Sequence, residues 1–124
     1  MRIRKASVKD WPAILGLIRE HPDKLMQDHL PRASAFFVAV TDEKIVGCCA
    51  LEVYSKRLAE IRSLAVTEKF QGKGIATALI EACMKSAKEK KVYEVLTITG
   101  ATGLFEKHGF GTFNKERFAL IKIL

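Results

Sequence analysis

The sequence predicts an α/β domain with a mixed sheet, and three observations support that fold class. Short apolar, β-prone segments recur along the chain, stretches with helical periodicity separate several of them, and a glycine-containing loop joins one strand to the longest helix. The chain has 124 residues, of which 48% are apolar and 28% are charged. This length supports one hydrophobic core and is too short for two, so we expect a single domain over residues 1–124.

The first half predicts a strand, two helices and a hairpin. Residues 2–6 form the strand, and a helix over residues 8–20 follows because Ile14, Leu17 and Ile18 share one apolar face, with Pro12 in the first turn. A shorter helix is predicted over residues 24–30 and is ended by Pro31. Two β-prone segments, at residues 35–40 and 45–51, predict a hairpin around the polar turn 41–44.

The second half begins with a strand over residues 59–66. Its alternation predicts that Glu60, Arg62, Leu64 and Val66 share one face. Unpaired buried charge is costly, so Glu60 and Arg62 either form an ion pair with each other or face a cleft.

A long amphipathic helix is predicted after the loop at residues 67–74, since apolar residues recur there in steps of three and four. The chain should then form a strand at 92–99, a short helix at 101–108 ended by Gly109, and an antiparallel pair, 110–113 with 118–124, around Asn114 and Lys115. The complete order is β-α-α-β-β-β-α-β-α-β-β. The apolar stripe of the long helix consists of Ile75, Leu79, Ala82, Cys83 and Ala87.

The loop from Gln71 to Thr77 predicts a phosphate-binding site. Its glycines, Gly72 and Gly74, let the backbone approach a ligand closely, and the following helix start offers unpaired N–H groups and a positive dipole end. The Walker pattern is absent, and Thr77 stands where a dinucleotide fingerprint needs a third glycine. ATP and dinucleotides are therefore disfavoured, although the same Gly-x-Gly pattern also occurs in simple strand-to-helix turns.

Composition restricts the other function classes. The net charge of +7 suits any polyanionic ligand, but Lys85, Lys88, Lys90 and Lys91 crowd one helix end without interleaved aromatic residues, so we expect no nucleic-acid binding. No signal peptide or bilayer-length apolar run is present in the sequence, which predicts a cytoplasmic protein without membrane contact. The three cysteines, Cys48, Cys49 and Cys83, lack metal-site spacing and predict reduced, mostly buried thiols without a metal.

Two separated motifs resemble the GNAT superfamily of acetyltransferases. Gln71, Gly74 and Ala76 match its signature Gln/Arg-x-x-Gly-x-Gly/Ala, and residues 104–110 resemble its aromatic-rich helix that ends in Gly-Phe. The resemblance runs from the first strand to the last. It implies a mixed, mainly antiparallel twisted sheet of about seven strands with about four helices, whose strands splay at the acyl-CoA site.

The resemblance also implies that acetyl-CoA is the cosubstrate. The loop amides would bind its pyrophosphate, and the strand before the loop would pair with the pantetheine arm by main-chain hydrogen bonds. The cofactor-binding residues implied in this way are Leu64, Ala65, Val66, Gln71, Gly72, Lys73, Gly74, Ile75, Ala76, Thr77 and Phe105.

The catalytic residues implied by the resemblance are Glu60 and Leu64. Glu60 stands where the histone-acetylating branch has its catalytic glutamate, and the amide of Leu64 would stabilise the oxyanion. Phe105 departs from the pattern, because many relatives have a tyrosine there that protonates the leaving thiolate. Either water or another group replaces it, with His108 and Tyr93 as the candidates, or the activity is weak.

The acceptor implied by the resemblance is a primary amine. Residues 45–51, residues 59–62 and Phe105 look most like the acetyltransferase domain of N-acetylglutamate synthases, which implies glutamate as acceptor, by direct attack in a ternary complex. Arg62 or Arg32 would then bind the substrate carboxylate. A homodimer through residues 118–124 is also expected. The alternatives are an acyl-CoA-binding sensor or adaptor with little catalysis, an enzyme acting on a protein or polyamine amine, and a basic nucleic-acid module.

Overall fold

The computed structural model describes residues 1–112 and 116–124, and its centre is one five-stranded sheet in the order β1-β2-β3-β4-β5. Neighbouring strands are antiparallel from β1 to β4, whereas β5 is parallel to β4 after a helical crossover. The strands are β1 (Arg2–Lys5), β2 (Phe36–Thr41), β3 (Lys44–Val53), β4 (Leu58–Val66) and β5 (Glu94–Thr97), and the α-helices are α1 (Trp11–Arg19), α2 (Ile75–Glu89) and α3 (Thr102–Glu106).

The predicted fold class is confirmed, but the element count is too high. The described residues form five strands and three α-helices, where the resemblance implied about seven and about four. The missing strands are the predicted late pair. Residues 116–124 form no strand, and Phe113, Asn114 and Lys115 lie outside the described residues. A single alternating segment forms a strand only when a partner edge satisfies its backbone groups, so the pattern of residues 118–124 is not sufficient alone.

The predicted second helix, over residues 24–30, is also wrong. The segment forms turns, with the amides of Lys24 and Leu25 bonded to the carbonyl of His21, and His29 takes a positive φ of 56°. Gln27 donates its side-chain amide to the carbonyls of Ile18 and Leu25 at 3.0 and 3.1 Å. Gln27 thereby satisfies one carbonyl near the end of α1 and one within its own segment, and the turns replace the predicted helix.

The sheet separates two layers of core packing. Ile14, Leu17 and Ile18 of α1 cover one face, while Leu79 and Cys83 of α2 cover the other, as the helical periodicity predicted. Fully burying a side chain of this size stabilises the fold by roughly 1.5–3 kcal/mol. The two helices therefore pack against opposite faces of the sheet, and this packing fixes the positions of β4 and of the loop after it.

A β-bulge at Ser63 interrupts the alternation of β4. Ala50 pairs with Arg62 and Cys48 with Ala65, so β4 has one residue more than β3 between these pairs, and Ser63 adopts a φ of 55°. The predicted common face of Glu60, Arg62, Leu64 and Val66 is therefore wrong. Glu60, Arg62 and Ala65 point to the α1 side, whereas Ala59, Ile61, Leu64 and Val66 point to the α2 side.

Candidate active site

A cleft opens where β4 and β5 separate. The two strands pair only from Leu58 with Glu94 to Ile61 with Thr97, and among the described residues no strand continues along that edge of β4. The cleft has a volume of about 840 Å³ and is lined by residues 61–66 of β4, the loop after β4, the start of α2, residues 97–101, α3, and part of the segment after α1. This volume suits an elongated ligand of cofactor size, and the unpaired β4 edge offers backbone hydrogen bonds along one wall.

The glycine loop forms one end of the cleft. Gly72 and Gly74 have φ values of 75° and 83°, which glycine adopts without the strain of a side chain, and no atom lies within 4 Å of where a Cβ would stand. Gly74 is the N-cap of α2 and supplies no side-chain cap, so the first-turn amides remain available to a ligand. Gln71 anchors the loop by donating its amide to the carbonyl of Val66 at 3.0 Å. The arrangement suits an anion.

Most of the predicted cofactor-binding residues meet at this cleft, and Lys73 is the exception. Its Nζ lies 5.2 Å from the centre of the Phe70 ring, and the residue does not line the cleft. Phe105 lies at the wall, only 4% exposed, and packs edge-on against Phe110 with 5.4 Å between ring centres. The other predicted cofactor-binding residues also line the cleft, and they are Leu64, Ala65, Val66, Gln71, Gly72, Gly74, Ile75, Ala76 and Thr77.

Beside the β4 wall of the cleft lie four polar side chains that we call the β3–β4 polar cluster: Glu52, Tyr54, Glu60 and Arg62. Arg62 donates to Glu52 Oε2 at 2.7 Å and to the backbone carbonyl of His29 at 2.8 Å. Tyr54 donates its hydroxyl to Glu60 Oε1 at 2.5 Å. The ion pair thus joins Arg62 to Glu52, not to Glu60 as one sequence-based alternative had it.

Charge and burial shift two pKa values in the cluster. Burial and the hydrogen bond to Glu60 raise the pKa of Tyr54, so its hydroxyl stays protonated through the neutral range. Burial lowers the pKa of Arg62, but the hydrogen bond to Glu52 and the charges of both glutamates outweigh that effect and raise it overall. The cluster therefore holds two carboxylates, one guanidinium and one neutral phenol.

Three other candidates lie away from the cleft walls. Arg32 is exposed and does not line the cleft. His108, at the end of α3, borders a groove with Lys85 and Lys88 of α2, and Tyr93 is 75% exposed beside Arg57. Neither His108 nor Tyr93 is placed to protonate a group in the cleft.

Sequence reasoning missed Glu52 and Tyr54, although a signal for Glu52 was present. In the hairpin of β3 and β4, Glu52 pairs directly with Glu60, so strand register would have shown two carboxylates side by side. Glu60 does not line the cleft, but Arg62, two residues further on the same face, does. The cluster therefore borders the cleft at its β4 wall.

The cysteines do not supply a nucleophile. All three are buried and free of disulfide bonds, as predicted. Burial raises the pKa of Cys48 to about 12, and contact with Cys83 together with burial raises that of Cys49. Both thiols are therefore protonated at neutral pH and inert as nucleophiles. Within residues 1–112 and 116–124, no group of three or more His, Cys, Asp or Glu residues is arranged to hold a metal ion.

The glycine loop, the splayed strands and the cleft match a known family across most of the chain. The model of the acetyltransferase (GNAT) family matches residues 2–110. This chain belongs to the GNAT family. Its members' shared fold explains why a loop motif and a late aromatic segment, about 30 residues apart, meet at one cleft.

Curated relatives agree with this membership. The chain is 43% identical over 83 residues to an N-acetyltransferase of Chlorobaculum tepidum described as uncharacterised, covering 67% of this chain and 54% of that protein. It is 31% identical to an amino-acid acetyltransferase of Mycobacterium tuberculosis, over 87% of this chain and 67% of that one. It is 30% identical to an N-alpha-acetyltransferase of Saccharolobus solfataricus, over 87% of this chain and 78% of that protein. The GNAT acetyltransferase class is thus shared, whereas the acceptors of these relatives differ.

Solved structures of related proteins share the fold of this chain. Rv2747 from Mycobacterium tuberculosis, in complex with CoA and NLQ, superposes with a TM-score of 0.84 at 31% identity, over 90% of this chain and 72% of that one. N-acetylglutamate synthase from Neisseria gonorrhoeae, complexed with coenzyme A and N-acetyl-glutamate, superposes with a TM-score of 0.76 at 26% identity, over 87% and 27%. The predicted resemblance to synthase acetyltransferase domains is confirmed at the level of the fold.

The chain spans only part of some relatives, including about half of the Chlorobaculum tepidum protein. In the part of the chain that the structure describes, none of the helices combines the length and apolar character that a bilayer crossing requires.

Proposed function

We propose that this GNAT chain transfers an acetyl group from acetyl-CoA to the primary amine of a small molecule, an amino acid such as glutamate, by direct attack in a ternary complex. The observation that carries the proposal is one cleft that is lined both by the glycine loop and by Arg62, which belongs to the carboxylate-bearing polar cluster. The related structures that hold CoA support acetyl-CoA as the cosubstrate.

The cofactor end would bind acetyl-CoA mainly through the backbone. The amides of residues 71–77 would donate to the pyrophosphate at the start of α2, where the helix dipole favours negative charge. The pantetheine arm would lie along the β4 edge at residues 64–66, which β5 leaves unpaired. Phe105 would contact the cofactor as part of the apolar wall, and Lys73 would add charge near the phosphates.

The chemistry we propose places Glu60 as the general base and the Leu64 amide as the oxyanion donor. Glu60 removes one proton from the ammonium group of the acceptor, directly or through water, and the neutral nitrogen then attacks the thioester carbon. A C–N bond forms, the carbonyl electrons move to the oxygen, and the Leu64 N–H stabilises that charge. As the intermediate collapses, the C–S bond breaks. The second nitrogen proton then goes to the thiolate through water, because Phe105 has no proton to give.

For the acceptor, we propose that Arg62 binds a substrate carboxylate. Its guanidinium is held by Glu52 and by the carbonyl of His29 but carries five N–H donors, so further donors remain for a ligand in the cleft. Arg32 is the weaker candidate because it does not line the cleft. The mycobacterial amino-acid acetyltransferase supports an amino-acid acceptor, whereas the Saccharolobus relative supports a protein α-amine as the alternative.

The remaining expectations are a cytoplasmic single domain and a homodimer. The exposed apolar side chains of residues 118–124, with Leu120 at 92% and Ile123 at 91%, support a partner copy at that segment. Size-exclusion chromatography with light scattering tests it, and a monomer mass at micromolar concentration would contradict the dimer.

The experiment that tests the function is thiol release from acetyl-CoA, followed spectroscopically across glutamate, other amino acids, polyamines and a peptide with a free α-amine. Release with glutamate alone supports the proposed acceptor. Release with only another amine would keep the enzyme class and discard glutamate. If acetyl-CoA raises the melting temperature but no amine releases thiol, a sensor or adaptor replaces the enzyme.

The proposed base is tested by Glu60→Gln with Glu81→Gln, an exposed change on α2, as the matched control. Loss of the base should lower kcat by roughly 100-fold or more, since general base catalysis contributes about 10²–10⁴. Acetyl-CoA affinity, measured by calorimetry, should stay unchanged. Full turnover in Glu60→Gln would remove Glu60 from the mechanism.

A further inference from the structure

Two carboxylates of the β3–β4 polar cluster stand directly opposite each other. Glu52 and Glu60 form a cross-strand pair on the α1 side of the sheet, where like charges repel. Arg62 forms its 2.7 Å ion pair with Glu52. Glu60 therefore lies beside a second acidic side chain, and the described residues supply no ion pair to it.

Tyr54 supplies the compensating contact. Its hydroxyl oxygen lies 2.5 Å from Glu60 Oε1 and 3.4 Å from Glu52 Oε2. A hydroxyl carries one proton, and the shorter contact takes it, so Tyr54 serves Glu60. No hydrogen bond from the described residues reaches Glu60 Oε2, which leaves that oxygen as the acceptor for an incoming proton.

The other neighbours of the cluster do not take over this role. The segment after α1 contributes Met26 and His29, and both contact Arg62, His29 through its backbone carbonyl. On β5, Leu96 lies opposite Glu60 and is apolar. The charged or titratable side chains that face Glu60 from these elements are Glu52, Tyr54 and Arg62.

We propose that Tyr54 is a positioning residue, whose hydroxyl holds Glu60 Oε1 beside Glu52, so that Oε2 is free to accept the amine proton. The inference rests on the proposed function of Glu60 as the base. Tyr54 itself neither touches the reacting atoms nor transfers a proton. The raised pKa of Tyr54 agrees with a phenol that remains a donor over the working range of the enzyme.

The direct test is a double-mutant cycle of urea unfolding on the wild type, Tyr54→Phe, Glu60→Ala and the double variant. If the hydroxyl holds Glu60, the effects of the two single changes should not add, because each removes the same hydrogen bond. Tyr93→Phe, which removes a hydroxyl at an exposed site outside the cluster, should be additive with Glu60→Ala. Additive free energies of unfolding for Tyr54→Phe and Glu60→Ala would overturn the inference.

The second test is steady-state acetyl transfer, with the amine that gives thiol release in the wild type. In Tyr54→Phe, kcat should fall by roughly 10-fold, a part of what general base catalysis contributes, while KM for acetyl-CoA stays unchanged. In Glu60→Gln the same change should have no further effect on kcat. Tyr54 is half exposed, so the variant should fold, and its melting temperature verifies this. An unchanged kcat, or an equal loss in Glu60→Gln, would contradict the positioning role.

Failure of the proposed function is a separate outcome. If the wild type acetylates no amine, or if Glu60→Gln retains full turnover, the catalytic role of Glu60 is wrong. The unfolding cycle needs no turnover, so it still decides whether Tyr54 holds Glu60.

Discussion

The glycine loop and the β3–β4 polar cluster, the two parts of the proposed site, are built in different ways. At the glycine loop the groups proposed to face the cosubstrate are backbone amides, set by the positive φ of Gly72 and Gly74 and by the start of α2. In the polar cluster, of which Arg62 lines the cleft, they are side chains held by one another across two strands. A backbone site tolerates most side-chain changes but depends on φ, whereas a side-chain site is set by strand register and by each charge.

A substitution is expected to change different properties at the glycine loop and at the polar cluster. Backbone amides fix an anion without selecting what lies beyond it, which suits a shared cosubstrate. A cluster of two carboxylates, one guanidinium and one phenol can change its preference by a single substitution. We therefore expect acceptor choice in this chain to depend on the cluster and cofactor affinity on the loop, and three further variants test that division.

The largest effect in this set is expected from Gly74→Ala. Its φ of 83° costs an L-residue about 1–2 kcal/mol, and no neighbouring atom lies within 4 Å of the added Cβ, so the change acts on backbone conformation alone. If the loop must keep this conformation to bind, acetyl-CoA affinity should fall about 5- to 30-fold by calorimetry.

Gly16→Ala is the matched control for Gly74→Ala. Gly16 lies inside α1, does not have a positive φ, and has equally open space around a Cβ. Alanine there should raise the melting temperature slightly through helix propensity and leave acetyl-CoA binding unchanged. Equal affinities in both variants would break the claim that the loop end depends on φ.

A smaller, acceptor-selective effect is expected from Glu52→Gln. The change removes the charge that holds Arg62 at 2.7 Å, which leaves the guanidinium free for a substrate carboxylate. KM for glutamate should fall about threefold, KM for a polyamine should rise, and KM for acetyl-CoA should not change. The measurement is steady-state thiol release with each acceptor. A lower KM for the polyamine would contradict the role of Arg62 as a carboxylate binder.

The same division explains what the sequence could predict. The loop end is local in sequence, so Gln71, Gly74 and the following apolar stripe were enough to place it. The polar cluster depends on how β3 and β4 pair. The extra residue at Ser63 moves Leu64 and Val66 to the opposite face of β4, and the apolar alternation of the sequence does not reveal this change. The ion-pair partner of Arg62 could not be assigned either, because Glu52 is ten residues away on another strand.

Errors outside the cleft have the same physical origin. Apolar alternation predicted a strand over residues 118–124, but whether such a segment pairs depends on a partner edge that local sequence does not describe. The helix predicted at residues 24–30 does not form, and Gln27 in that segment donates its side-chain amide to the carbonyl of Ile18. Local signals therefore sufficed for the five strands and three α-helices that the described residues form, and tertiary partners decided where the other predicted elements failed.

The smallest effect on turnover is expected from Asp10→Asn, which lies outside both ends. Asp10 accepts hydrogen bonds from Arg4 at 2.8 and 3.0 Å and from the amide of Ser7 at 2.8 Å. The Arg4 hydrogen bond, followed by the Ser7 amide, lowers the pKa of Asp10 from 3.8 to about 2. A lowered folded-state pKa means that the carboxylate stabilises the fold above the unfolded pKa, and that this contribution is lost as the pH falls from about 4 towards 2.

At pH 7, Asp10→Asn should lower the free energy of unfolding by about 1–2 kcal/mol, allowing for the partly exposed Arg4, and should leave kcat and both KM values unchanged. Urea unfolding from pH 7 to pH 2.5 measures it, with the exposed turn variant Asp42→Asn as the control. The difference in the free energy of unfolding between the wild type and Asp10→Asn should become smaller below about pH 4, because protonation of Asp10 then removes the same charge from the wild type. A gap that is constant with pH would show that the Asp10 charge is not what stabilises the start of α1, and a changed KM would show that this corner of the sheet is coupled to the cleft after all.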